Sequence, residues 1–216
     1  MNISKVKTVS IVCGGPHLWL PELSEIKGNI IGVDKGAWAL VNRKIPFRVA
    51  IGDFDSVTYQ QKKAIEDKVD TFMPLPAQKD VTDCEAAVMY AVSQGYKKIV
   101  LYGVTGGRFD HQYAIIALML KYVKQGIWIQ AKDEKNKFKV MAPGMLRISR
   151  GRRKYLSFFA LEKKVVGLTL KGVKYPLKNY KLLAEDNLCV SNEFKDDKCA
   201  EIFLRKGYLL VIQSSD

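Results

Sequence analysis

The chain has 216 residues, 48% of them hydrophobic, and a formal net charge of +13. That length supports one large domain or two small ones with real cores. Its longest apolar runs, such as Ala114 to Leu120, fall far short of the roughly 20 residues of a membrane span, so no membrane role is expected. The four cysteines, Cys13, Cys84, Cys189 and Cys199, form no C-x-x-C pair, and the two histidines, His17 and His111, argue against a zinc site. Met1 to Ser10 lacks a basic patch followed by an apolar signal core, so a reduced cytoplasmic protein is expected.

The charge is uneven. Residues 1–134 carry 17 Lys and Arg against 14 Asp and Glu, whereas residues 135–216 carry 18 against 8. A basic half can attract a polyanion, but these cations are scattered through strand-like segments, which reads as a solvated surface rather than a nucleic-acid face.

In chain order, Thr8 to Cys13 is an apolar run ending in Gly14-Gly15, and Asn29 to Val33 ends in Asp34. Arg48 to Ile51 ends in Gly52-Asp53, Thr71 to Leu75 is weaker, Lys98 to Tyr102 ends in Gly103, and Ile127 to Gln130 is a sixth. Short apolar runs broken by Gly or Asp, with helices between them, predict a parallel sheet. Helices are expected over Gly36 to Asn42, Gln60 to Lys68, Thr82 to Ser93 and Asp110 to Lys124. The third opens on a capping box, Thr82 with Glu85, and presents Cys84, Ala87, Val88, Ala91 and Val92 inward. The fourth presents Ile115, Leu118, Met119 and Tyr122 inward. A polar linker follows over Lys132 to Lys137.

Beyond it the period changes. Phe138 to Met141, Met145 to Ser149, Tyr155 to Ala160, Val165 to Leu170, Glu201 to Leu204 and Tyr208 to Gln213 are short β-rich runs separated by Gly-containing turns. The fold class expected is α/β: an N-terminal, mostly parallel α/β domain over residues 1–132 and a C-terminal all-β sandwich over 133–216.

Ligands of parallel α/β sheets bind at the carboxyl ends of the strands. There the predicted loops collect Asp34, Asp53, Asp55, Asp80, Asp83 and Asp110, with Arg108. Like charges so close repel unless a cation joins them. With hard oxygen donors and few histidines, Mg²⁺ is the expected ion. Phe54, between two of the carboxylates, points into the core. Gly103-Val104-Thr105-Gly106-Gly107-Arg108 has glycines that let backbone amides approach a phosphate, and Arg108 can clamp one. Asp110 serves either as a helix cap or as a metal or nucleotide contact. The reading is an Mg²⁺-dependent enzyme acting on nucleotide phosphates. A phosphatase with Asp53 as nucleophile and a nucleic-acid module built on the basic half are rivals. The first leaves the Gly-Gly-Arg loop unused, and the second leaves the acidic loops unexplained.

In order and spacing, the chain resembles the thiamine pyrophosphokinase family. The matching pieces are Val33-Asp34-Lys35-Gly36-Ala37, Ile51 to Ser56, Lys79-Asp80-Val81-Thr82-Asp83, Gly103 to His111, Gly172 to Leu177 and Val190 to Phe194. The resemblance implies transfer of pyrophosphate from ATP to the hydroxyl of thiamine, giving thiamine diphosphate and AMP. It implies a homodimer, with thiamine between the catalytic domain of one subunit and the sandwich of the other. It implies that Asp53, Asp55 and Asp83 hold Mg²⁺, and that Asp34, Asp53, Asp80, Gly106, Gly107, Arg108 and Asp110 shape the ATP site. Thiamine would meet Asp34, Asp110, Tyr175, Ser191 and Asn192. Catalysis would fall to Asp55, Asp83 and Arg108, with Asp55 or Asp83 accepting the hydroxyl proton.

Overall fold

The computed structural model describes residues 7–16, 26, 28–195 and 199–216; residues 1–6 of the N-terminal lead, and His17, lie outside the described residues. The chain forms two compact units, Met1–Leu118 with Gly126–Glu134, and Met119–Gln125 with Lys135–Asp216.

In the first unit the elements are β1 (Thr8–Val12), β2 (Asn29–Val33), α1 (Lys35–Asn42), β3 (Val49–Gly52), α2 (Tyr59–Glu66), β4 (Thr71–Pro74), α3 (Asp83–Ser93), β5 (Lys98–Tyr102), α4 (Phe109–Val123) and β6 (Trp128–Lys132), with α4 running on into the second unit. Its strands lie in the order β6-β5-β1-β2-β3-β4, and every neighbouring pair is parallel. In β1 and β2 every residue after the first is buried. A strand covered on both faces cannot alternate, which is why these segments read as unbroken apolar runs. Strand order reverses at β1, which pairs with both β2 and β5. That is the switch point, where the loops at the carboxyl ends diverge and leave a crevice.

The helices take the faces expected of them. In α4, Ile115, Leu118, Met119 and Tyr122 are all buried; in α3, Ala87, Val88 and Ala91 are fully buried while Cys84 and Val92 are half-buried. Thr82 caps α3, its Oγ1 accepting from the Glu85 amide at 3.2 Å. A reciprocal capping box forms on α2, between Thr58 and Gln61.

The second unit holds β7 (Asn136–Met141), β8 (Gly144–Ser149), β9 (Tyr155–Ala160), β10 (Lys164–Lys171), β11 (Leu177–Leu183), β12 (Asn192–Glu193), β13 (Cys199–Leu204) and β14 (Leu209–Ser214). One antiparallel layer runs β12-β9-β14-β7 and the other β11-β10-β13-β8. Their inner faces share one core, with Leu156, Phe158, Leu168, Leu182 and Ile202 fully buried. This is the all-β sandwich expected of the C-terminal half.

Two strands are absent from the sequence reading. β11, Leu-Lys-Asn-Tyr-Lys-Leu-Leu, lies at a sheet edge, with β10 as its one neighbour among the described residues. Edge strands tolerate lysines that would disrupt a central one, and such lysines blunt further pairing, so β11 lacks an apolar signature. β12 has only two residues.

The polar linker over Lys132 to Lys137 needs correction. β6 extends through Lys132 and β7 begins at Asn136, and Asp133 between them is completely buried. A buried carboxylate requires polar partners, and the Thr105 hydroxyl donates to Asp133 Oδ2 at 2.5 Å.

Candidate active site

Asp34 follows β2, and its backbone extends the sheet register: Val33 pairs with Ile51, and the Asp34 amide bonds the Ile51 carbonyl at 3.3 Å. Gly52 is therefore its neighbour across the strands. Gly52 has φ +149°, and a Cβ there would fall 1.9 Å from Asp34 Oδ1. Only glycine leaves room for that carboxylate. Asp34 has φ 47° and stands at the N-cap of α1 without a side-chain cap bond. Its Oδ1 instead accepts from the Phe54 amide at 3.1 Å.

The Asp53-Phe54-Asp55 turn is organised around that bond. Phe54, at φ 58°, turns its ring into the core, 3% exposed, where it stacks on Phe72 with centroids 4.7 Å apart. Asp53 Oδ1 accepts from the Asp55 amide at 3.1 Å. Asp53 Oδ2 faces Lys79 Nζ at 3.2 Å, and the same ammonium lies 3.0 Å from Asp83 Oδ1. Asp83 is the first residue of α3, where helix geometry favours negative charge.

Asp34, Asp53 and Asp83 each offer a carboxylate oxygen within 4.8 Å of the other two. Of the carboxylates expected at this edge, those three converge. Asp55 and Asp80 are exposed. Asp110, also exposed, is paired with Arg108, whose Nε lies 3.1 Å from Asp110 Oδ1, and the same oxygen accepts from the His111 amide. Lys79 is the residue whose role here sequence reasoning missed. Its signal was present, a lone lysine four residues before Asp83 in an acidic loop, but i, i+4 spacing acquires meaning only once Asp53 is brought alongside.

The electrostatics follow from this packing. Burial pushes the Asp34 carboxyl up to about 7, with Asp83, Asp53 and Asp55 adding repulsion and the Phe54 amide offsetting part of it. At Asp53 burial acts upward too, but the Asp55 amide and the Lys79 ammonium outweigh it and hold the pKa below its ordinary value. Burial lowers the Lys79 pKa, yet Asp83 and Asp53 keep it above the usual lysine range. Three carboxylate oxygens with one ammonium still leave negative charge unbalanced. A hard divalent cation with oxygen ligands suits such a donor set.

Beside the acidic group, the glycine loop after β5 is locked to the loop after β1. The Gly15 amide bonds the Gly103 carbonyl at 2.8 Å, and at Gly103, φ +66°, a Cβ would fall 2.2 Å from the Cys13 carbonyl oxygen. Thr105 anchors the loop from below through Asp133. Gly106, Gly107 and Arg108 are exposed, and Gln112 Nε2 donates to the Gly107 carbonyl.

In the second unit Tyr175, Ser191 and Asn192 come together. Asn192, 3% exposed, brackets the Tyr175 backbone: its Oδ1 accepts from the Tyr175 amide at 3.1 Å and its Nδ2 donates to the Tyr175 carbonyl at 2.9 Å. The Tyr175 side chain is exposed. Ser191, at φ 55°, is held by its amide on Ser157 Oγ. Cys189 beside it is buried, which pushes its thiol up to about 11, with Asp186 adding to the shift. All four cysteines are free thiols.

The fold and this edge define a class: an α/β enzyme with its chemistry at the carboxyl ends of a parallel sheet, joined to a β-sandwich unit. Comparison with known proteins narrows it. Residues 20–131 match the family described as thiamin pyrophosphokinase, catalytic domain, and residues 145–209 match thiamin pyrophosphokinase, vitamin B1 binding domain. Thiamine pyrophosphokinase of Bacillus subtilis is 37% identical over 215 residues, 98% of this chain and 100% of that protein. The crystal structure of an Enterococcus faecalis thiamin pyrophosphokinase family protein superposes with a TM-score of 0.89 at 30% identity, over 97% of this chain and 100% of the other. The yeast thiamin pyrophosphokinase structure, 14% identical, shares the fold with a TM-score of 0.79 over 99% of this chain and 88% of its own. The chain belongs to the thiamin pyrophosphokinase family and is a diphosphotransferase enzyme. No helix among the described residues is long and apolar enough to cross a membrane.

Proposed function

We propose that the protein transfers a diphosphate group from ATP to the hydroxyl of thiamine, releasing AMP, with Mg²⁺ held by Asp34, Asp53 and Asp83. The observation that carries the reading is the convergence of those three carboxylates beside a glycine loop at the sheet switch point. When bound, Mg²⁺ supplies charge neutralisation on the phosphates. The amides of Gly106 and Gly107 face the phosphates, and Arg108 exchanges Asp110 for a phosphate oxygen. That exchange is cheap because the pair is exposed, 72% and 60% at the side chains. The thiamine oxygen attacks the β-phosphorus in line. Asp55, exposed and adjoining the acidic group, accepts the hydroxyl proton, with Asp83 the alternative. Asp80 borders the nucleotide, Asp34 and Asp110 lie toward thiamine, and Tyr175, Ser191 and Asn192 contact it from the sandwich. Residues 1–132 act as the nucleotide domain and 133–216 as the thiamine domain of a cytoplasmic homodimer.

The deciding experiment is incubation with ATP, Mg²⁺ and thiamine, resolving AMP from ADP. AMP formed in proportion to thiamine supports the reading. ADP as product, or turnover without thiamine, overturns it. Asp55→Asn is expected to abolish AMP formation while leaving the fold intact, and near-normal turnover would remove Asp55 from the mechanism.

A further inference from the structure

Lys79 lies in the loop between β4 and α3, and three oxygens surround its ammonium: Asp53 Oδ2 at 3.2 Å, Asp83 Oδ1 at 3.0 Å and the Pro76 carbonyl at 3.1 Å. An ammonium has three N–H groups and no acceptor. Here it donates to Asp53 Oδ2 and to the Pro76 carbonyl. Asp83 Oδ1 is held as an ion pair outside hydrogen-bond geometry and stays a buried oxygen without a hydrogen-bond donor among the described residues. The side chain is 13% exposed, against 44% for Lys124 in its ion pair with Glu162, so Lys79 is built into the site rather than lying across its surface. Two of its three partners are carboxylates of the group that could hold a cation.

A divalent cation on those carboxylates competes with the ammonium for their oxygens. One positive charge against three carboxylates leaves a deficit that a divalent ion fills better. Lysine is suited to yielding its place, being a compact charge on a flexible four-carbon stem, whereas the rigid fork of arginine is not. Once displaced, the ammonium remains tethered beside the site, where a nucleotide phosphate offers it oxygens.

We infer that Lys79 is a tethered counter-cation with two stations. It holds Asp53 and Asp83 together while no divalent cation is bound, and it moves to a phosphate oxygen of the nucleotide once a divalent cation takes those carboxylates. The inference rests on the Mg²⁺ and ATP reading above. It makes Lys79 both a competitor of the metal and a partner of the nucleotide.

The two stations predict effects of opposite sign. Mn²⁺ binding to the metal-free protein, read by electron paramagnetic resonance without nucleotide, is expected to tighten at least tenfold in Lys79→Met. Binding of α,β-methylene ATP at saturating Mg²⁺, read by calorimetry, is expected to weaken at least tenfold in the same variant. A lysine serving only as a strut would weaken both, a bystander would change neither, and tighter metal with unchanged nucleotide binding would remove the second station. Each of these outcomes overturns the inference. Lys79→Gln, which keeps a donor within reach of the carboxylates, repeats the test if the methionine variant does not fold. Wild-type AMP formation is measured in parallel. Its failure with the metal effect intact would count against the substrate assignment rather than against the first station.

Discussion

At Gly52 and Asp34 the requirements of the backbone and of the site coincide. A Cβ at residue 52 would occupy the position of Asp34 Oδ1, and φ at that residue disfavours any other side chain. Gly52→Ala is therefore expected to destabilise the protein by more than about 1 kcal/mol and to displace Asp34 from the acidic group. Denaturant unfolding checks the first effect and Mn²⁺ binding the second. Asp34 also makes a pH prediction. Its carboxyl titrates at 3.8 in a model peptide and at about 7 in the folded protein, because it is buried among like charges. The folded state thus binds a proton that the unfolded chain has lost across that window. The associated stability is complete below pH 3.8 and is lost as pH rises through 7. Asp34→Asn removes this dependence. In metal-free buffer the Tm of the variant relative to wild type should rise by about 5 °C between pH 5 and pH 8. A constant difference across that range would show that Asp34 titrates normally.

Among the elements, α3 and the glycine loop place the chemistry. Thr82 caps α3 and so orients Asp83, the first helical residue. Thr82→Ala should destabilise the fold by about 1 kcal/mol through the unsatisfied Glu85 amide. The glycine loop depends on a contact between residues 28 positions apart, Thr105 to Asp133. Thr105→Val keeps the shape and removes the hydroxyl from a fully buried carboxylate, at about 1–3 kcal/mol. If that bond positions the loop, KM for ATP rises more than kcat falls. Equal effects on both, or none, would make the contact purely structural. Secondary structure was largely legible in the sequence at this scale because it is a local property. The inward face of α4 and the unbroken strands β1 and β2 follow from periodicity and burial alone. β11 escaped because a strand at a sheet edge needs no apolar pattern.

For the whole molecule, a cation that binds the folded carboxylates but not the unfolded chain should stabilise the protein by mass action, by about 2.7 kcal/mol at a hundredfold excess over Kd. Mg²⁺ should therefore raise the Tm and EDTA reverse the change, with Asp53→Asn losing most of the shift. An unchanged Tm in millimolar Mg²⁺ would count against the acidic group as a metal site. The proposed homodimer is checked by light scattering, where a mass of 24.4 kDa would mean a monomer.

By itself the sequence determined which segments become strands and helices, the change from a parallel α/β unit to an antiparallel sandwich, and the presence of acidic loops at one edge. These properties reside in local periodicity, in glycine and proline punctuation and in chemical composition. Tertiary structure alone decided which carboxylates meet. Asp34 joins Asp53 and Asp83, while Asp55, two residues from Asp53, stays outside, because the Phe54 backbone at φ 58° drives the ring into the core and turns the following residue to solvent. It also decided that Lys79 lies between two of those carboxylates and that Asp133, in a segment that looked like a polar linker, is buried beneath the glycine loop. Each of these depends on the order of strands in the sheet and on the exit angle of single residues. No window of sequence records either, because the groups concerned are tens of residues apart and meet only when the sheet has assembled.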